Sequence, residues 1–150
     1  MAQTLTRILI HTIFSTKNRQ PLIPPEIEPE LYPYIVTIGR NLGSPVLAIG
    51  GTSDHLHLLL SLSKTEALAD VVMHIKKDSS LWIKTKGAQF DGFHWQDGYA
   101  GLSIGQSQLE IIRRYLARQK EHHRKTTFQD ELLTFLKKYN VEYDERYLWT

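Results

Sequence analysis

Residues 45–62 constrain the fold more than any other stretch of this chain. Two apolar runs rich in strand formers, Pro45-Val46-Leu47-Ala48-Ile49 and residues 55–62, flank the turn-forming cluster Gly50-Gly51-Thr52-Ser53, a pattern that predicts a β-hairpin. Side chains alternate across a strand, so His55 and His57 share one face while Leu56, Leu58 and Leu60 share the other. A chain with this hairpin near its middle builds a sheet, and the flanking elements decide which sheet.

Upstream, Arg7-Ile8-Leu9-Ile10-His11-Thr12-Ile13-Phe14 reads as a strand buried on one or both faces and ending at Ser15. Pro21, Pro24 and Pro25 make a loop, after which Leu31, Tyr34, Ile35 and Ile38 fall at helical spacing up to Gly43. Downstream, Thr65 is placed to cap a helix starting near Glu66. Its apolar positions Leu68, Val71, Val72, Ile75, Leu81 and Trp82 persist to Gly87, with Lys76, Lys77, Lys84 and Lys86 on its far face. A fourth strand is expected within residues 93–104, where Gly98 and Gly101 suggest a bulge or a close backbone approach. Further helices are expected over residues 107–125 and 128–139, followed by an aromatic tail.

The order β-α-β-β-α-β and then helices predicts an α+β fold: a ferredoxin-like split β-α-β antiparallel sheet with two helices on one face and additional C-terminal helices. With 150 residues and no linker or repeat, one domain spanning 1–150 is expected. Its sheet and helices occupy about 5–105, a third helix about 107–125, and a last helix and tail about 127–150.

Composition narrows the chemistry. Lys+Arg number 18 against Asp+Glu 16, a formal charge of +2, so any grip on nucleic acid must come from local patches. Cysteine is absent, which removes disulfides, thiolate metal sites and thiol nucleophiles and turns the search for metal ligands to histidine and amide oxygen. The start lacks the order of a secretory signal and no apolar run approaches the ~18 residues of a membrane span, so a cytoplasmic, membrane-free protein is expected.

Three groups of residues could carry chemistry. His55 and His57 project side by side from one strand, close enough to chelate a single divalent ion; two solvent-facing histidines on a half-exposed sheet would look the same. On the third helix Leu109, Ile112 and Leu116 form a core stripe, with Tyr115, Gln119 and His122 on a second stripe. A tyrosine of pKa ~10 is a poor nucleophile unless its target is polarised, as a metal ion can do for a phosphodiester, and the Gln119 amide oxygen could be a third ligand. An edge-of-core aromatic beside a solvated amide is the plainer alternative. Finally, Lys76, Lys77 and Lys84 on the second helix, and Arg113, Arg114, Arg118, Lys120, Arg124 and Lys125 around Tyr115, are interleaved with Trp82, Phe93, His94, Trp95 and Tyr99. They could hold phosphates and stack unpaired bases, or simply be solvated helix faces.

The segments Gly50-Gly51-Thr52-Ser53-Asp54-His55-Leu56-His57-Leu58-Leu59, Phe93-His94-Trp95-Gln96-Asp97-Gly98-Tyr99, Tyr115-Leu116-Ala117-Arg118-Gln119-Lys120-Glu121-His122-His123 and Tyr143-Asp144-Glu145-Arg146-Tyr147-Leu148-Trp149 resemble, in order, the IS200/IS605-type transposases, single-tyrosine members of the HUH endonuclease superfamily. The resemblance implies that His55, His57 and Gln119 bind Mg²⁺ or Mn²⁺. It further implies that Tyr115 attacks single-stranded DNA to give a 5′-phosphotyrosine and a free 3′-OH. It also implies recognition of hairpins near element ends, and a homodimer in which the tyrosine helix of one subunit completes the site of the other. Arg113, Arg114, Arg118, His122, Arg124, Lys76, Lys77 and Lys84 are the expected DNA contacts. Tyr99, a rival nucleophile by type, is expected in a strand with no ligand partner at helical spacing. The alternative is a non-catalytic or domesticated relative that binds palindromic single-stranded hairpins.

Overall fold

The computed structural model describes residues 2–150. Four strands, β1 (Leu9–Ser15), β2 (Val46–Gly51), β3 (His55–Ser61) and β4 (Ala100–Ile104), form one antiparallel sheet in the order β2-β3-β1-β4. Between them run α1 (Glu28–Asn41) and α2 (Leu68–Lys84). The C-terminal part adds α3 (Leu109–Ala117), α4 (Gln119–His122), α5 (Phe128–Lys138) and α6 (Glu145–Leu148). The split β-α-β arrangement is therefore present.

Both faces of the sheet are covered, which is why every residue of β1 is buried. On one face Phe14, Leu56, Leu58 and Leu60 pack against Leu31 and Ile35 of α1 and Val71, Ile75 and Ile83 of α2. On the other, Ile13 and Leu102 meet Phe128, Leu132 and Leu136 of α5, while Leu59 meets Ile112 and Leu116 of α3. Full burial of each such side chain stabilises the fold by about 1.5–3 kcal/mol. His55 and His57 alternate out of phase with Leu56 and Leu58, so they point into this second, helix-covered layer. Both are 0 % exposed; they are not solvent-facing on a half-covered sheet.

Several expected boundaries shift. The register irregularity lies between Val46 and Ala48 of β2 rather than at Gly98 or Gly101. Gly101 pairs regularly with Thr12, and a Cβ there would crowd Leu68 of α2, so this glycine marks a close approach. The fourth strand begins only at Ala100; Trp95 instead forms a single bridge to Thr16, and its indole N–H donates to Ser79 Oγ at 3.0 Å. Helix α2 starts at Leu68 after Ala67, without a side-chain cap from Thr65. Leu81 faces solvent, and Ile83 takes the buried position. The third helix is broken at Arg118 (φ −107°, ψ 19°), which separates α3 from α4.

Candidate active site and metal centre

The hairpin turn orients the first histidine. Thr52 Oγ1 and Asp54 Oδ1 lie 3.1 and 2.7 Å from His55 Nδ1. With Nδ1 held by the Asp54 carboxylate, His55 Nε2 faces the sheet's second layer. His57, two residues on, has Nδ1 at 2.8 Å from His11 Nε2 of the neighbouring β1 and Nε2 at 2.8 Å from Glu131 Oε1 of α5. Burial, then the Glu131 contacts acting against it, sets His57 at about 4, and burial together with His57 pushes His11 down to about 3. Both rings are neutral at physiological pH, the form in which imidazole binds metals.

The break at Arg118 turns the next residues towards these rings. Gln119 is 1 % exposed; its Oε1 lies 2.9 Å from His55 Nε2 and 3.0 Å from His123 Nε2, and its Nε2 donates to Glu131 Oε2 at 3.0 Å. Lys120 anchors α4 to the start of α1 through Glu28, at 2.6 Å. His123 Nδ1 lies 2.6 Å from the Thr126 carbonyl, leaving its Nε2 3.1 Å from Glu131 Oε1. Tyr115, one turn before the break, donates its hydroxyl to Glu131 Oε2, and its ring centroid is 5.9 Å from that of His57. Burial and the adjacent Glu131 carboxylate raise the Tyr115 hydroxyl well above the ordinary phenol value. Burial alone would raise Glu131 too, but hydrogen bonds from His123 and His57 outweigh it and hold the carboxylate far below the usual range.

The expected residues Tyr115, His55, His57, Gln119 and His122 thus meet in one chain, with His122 Nε2 3.3 Å from Glu131 Oε2. Tyr115 opens onto a groove of about 770 Å³ lined by Arg114, Arg118, His122, Arg124 and Lys125. Arg113 reaches back to Glu110 at 3.6 Å. The α2 lysines are elsewhere: that helix buries its apolar side against the opposite face of the sheet. Lys76 is half-buried and donates to the carbonyls of Gln96 (2.9 Å) and Gly98 (2.6 Å). It is a structural clasp, and Lys77 and Lys84 share its helix, so these three do not join the tyrosine groove. Tyr99 lies just before β4, with Lys76 Nζ 5.8 Å from its ring, outside the histidine cluster.

Glu131, His123, Asp54 and His11 were not among the expected site residues. One signal was present for Glu131: Phe128, Glu131, Leu132 and Phe135 share a stripe at 3- and 4-residue spacing, and a carboxylate on the apolar side of an amphipathic helix needs a partner. His11 gave no signal beyond being polar within an apolar strand.

The donor set suits a divalent cation. One ring nitrogen each of His55, His57 and His123 and an oxygen of Glu131 lie within 4.8 Å of one another, with Gln119 Oε1 beside them, and the Nδ1 atoms of His55 and His57 are held from behind as ligating imidazoles usually are.

Comparison with known proteins gives the family and the fold. The model of the family "Transposase IS200 like" matches residues 4–119. The ISDra2 transposase TnpA of Deinococcus radiodurans is 25% identical over 116 residues, covering 74% of this chain and 83% of that protein. Among solved structures, a Deinococcus radiodurans R1 protein assigned provisionally as a transposase superposes with TM-score 0.62 at 22% identity, over 79% of this chain and 95% of that one. A REP-associated tyrosine transposase bound to a REP hairpin gives TM-score 0.57 at 14% identity, over 82% of this chain and 74% of the other. These last two likenesses concern the fold. The match of that family's model to residues 4–119 places the protein in the IS200-like transposase family.

Proposed function

We propose that this transposase cleaves and rejoins single-stranded DNA at hairpin-bearing element ends, with Tyr115 as nucleophile. The observation that carries the reading is the convergence, within one chain, of the Tyr115 hydroxyl and the imidazoles of His55 and His57 on a single carboxylate. Arg114, Arg118 and Arg124 line the groove beside Tyr115, where guanidinium groups can hold backbone phosphates on either side of the cleaved bond. As the Tyr115 oxygen bonds to phosphorus, the P–O3′ bond breaks. The proton lost by the phenol is balanced by the one gained at the 3′-oxygen, leaving a 5′-phosphotyrosine and a free 3′-OH. Attack on that linkage by a second 3′-OH reverses the step and joins new ends.

His55, His57 and Gln119 are the residues assigned to hold Mg²⁺ or Mn²⁺. When bound, the ion polarises the phosphodiester and neutralises developing charge. The REP hairpin bound by one structural neighbour supports hairpin DNA as the substrate class here. Among the described residues no helix is long and apolar enough to cross a membrane, and a cytoplasmic setting, where the DNA lies, belongs to the same reading. A homodimer is a further part of it, with each resting chain holding its own tyrosine against Glu131.

The direct test is a covalent adduct. Labelled single-stranded hairpin DNA incubated with the protein and Mg²⁺ or Mn²⁺ should yield a band that survives a denaturing gel. Tyr115→Phe should lose it entirely, while Tyr99→Phe should keep it. DNA binding without any adduct would instead identify a non-catalytic hairpin-binding module.

A further inference from the structure

We propose that Glu131, on the helix that follows the family-matched segment, is itself a ligand of the divalent ion, and that with it the centre becomes a nitrogen-rich site that takes Mn²⁺ in preference to Mg²⁺. This rests on the reading that His55 and His57 hold the ion.

Three observations lead there. The first is position. Ligand atoms bound at about 2.0–2.2 Å to one ion sit roughly 3–4 Å from each other. Glu131 Oε1 lies 2.8 Å from His57 Nε2, 3.1 Å from His123 Nε2 and 3.6 Å from His55 Nε2, so it already occupies a place in the polyhedron that the histidines outline. The second is charge. Glu131 is buried, with 2 % of its side chain exposed, and all its ion-pair partners among the described residues are histidines. A buried carboxylate requires a compensating positive charge. No lysine or arginine lies within ion-pair distance of it among the described residues, and a cation among the imidazoles would add positive charge beside it. The third is construction. Thr127 caps α5 by accepting from Asp130 N at 3.2 Å, Phe128, Leu132 and Leu136 fasten the helix to Ile13 and Leu102 of the sheet, and Glu131 is thereby fixed facing inward. The match to the family model ends at residue 119, and His123 and Glu131 lie in the C-terminal segment beyond it.

The selectivity follows from donor type. Mg²⁺ favours an oxygen shell with retained water. Two or three imidazoles with one carboxylate and one amide oxygen favour first-row transition ions over Mg²⁺, Mn²⁺ included although it binds most weakly in that series.

The test uses the full chain and Mn²⁺ itself. Titration followed by electron paramagnetic resonance of free Mn²⁺ should show one tight site, with Mg²⁺ in about 100-fold excess failing to empty it. Glu131→Gln should weaken Mn²⁺ binding at least about tenfold, and Glu131→Asp should recover part of the loss. A crystal of the unaltered protein loaded with Mn²⁺, located by anomalous scattering, should place a Glu131 oxygen at about 2.2 Å from the ion; this needs no variant and so is immune to misfolding. Mn²⁺ seated on His55 and His57 with Glu131 turned away, or bound equally well by Glu131→Gln, overturns this proposal while leaving the metal reading of the two histidines standing. No Mn²⁺ at His55 and His57 at all overturns both, and ready displacement by Mg²⁺ overturns the selectivity.

Discussion

At the scale of single residues, the second layer of the sheet is an unusual place to keep five histidines, His11, His55, His57, His122 and His123. His11 and His57 are fully buried, and His11 Nδ1 has no hydrogen-bond partner. Their folded values, about 3 and about 4, lie below the ordinary 6.5. Between those limits the unfolded chain binds protons that the folded chain refuses, so stability falls as pH drops from about 6.5 towards 4, by about 1.4 kcal/mol per pH unit for each histidine. His123, raised by Glu131 against its burial, has the opposite sign: its contribution is complete below 6.5 and fades as pH rises through its folded value. Urea unfolding in EDTA from neutral pH down to about 4 measures the slope. His11→Asn should flatten it by about one proton, and an unchanged slope would show that His11 does not resist protonation in the fold. The residues legible in the sequence were those whose spacing carries information: His55 and His57 at a strand period, Tyr115 and Gln119 at a helical one. Glu131 and His11 reach the same point from elements far away in the chain, and only the packing of α5 and β1 against β3 reveals them.

At the scale of elements, the sheet and its order could be read from alternation and turn residues, because a strand buried against helices must keep its apolar period. The kink at Arg118 could not be read, since residues 106–125 contain neither proline nor glycine to mark a break. The cause of the break is tertiary: Gln119 is drawn to His55 and Glu131, and Lys120 to Glu28. The same reasoning applies to the lysines of α2, which lie across the sheet from Tyr115. Helical spacing shows that they share a face but not which side of the sheet that helix covers. How closely α3 approaches the sheet is set by Gly50, where an added Cβ would collide with the Leu116 carbonyl. Gly50→Ala should therefore push α3, and Tyr115 with it, away from the histidines. The expected cost is about 1–3 kcal/mol of stability together with a fall in DNA adduct at temperatures where the variant is still folded. Gly92→Ala, whose added Cβ meets nothing within 4 Å, serves as the matched control. Equal adduct yield from Gly50→Ala and the parent would mean that this close approach does not place the tyrosine.

At the scale of the whole molecule, the question is whether one chain or two make an active centre. The resemblance implies tyrosine helices exchanged between subunits, yet here Tyr115 already meets the carboxylate that binds His57 of its own chain. The apolar face of α5 that could have served a dimer is largely used internally, with Leu132 and Leu136 buried against Ile13 and Leu102. Exchange would require α3 to leave Leu59 and Gly50 and the centre to reform around a partner's tyrosine. We expect the resting protein to keep its tyrosine at home, and complementation measures this directly. Tyr115→Phe retains the histidines but lacks the nucleophile; His57→Ala retains the nucleophile but loses a ligand. If each chain uses its own tyrosine, an equal mixture forms no adduct. If subunits exchange tyrosine helices in a two-fold dimer, half the dimers are mixed and each carries one intact composite site, restoring about a quarter of parental activity. The labelled band then belongs to the His57→Ala chain, which a mass tag on either variant identifies, and sedimentation of the unaltered protein shows whether two chains are associated when the adduct forms.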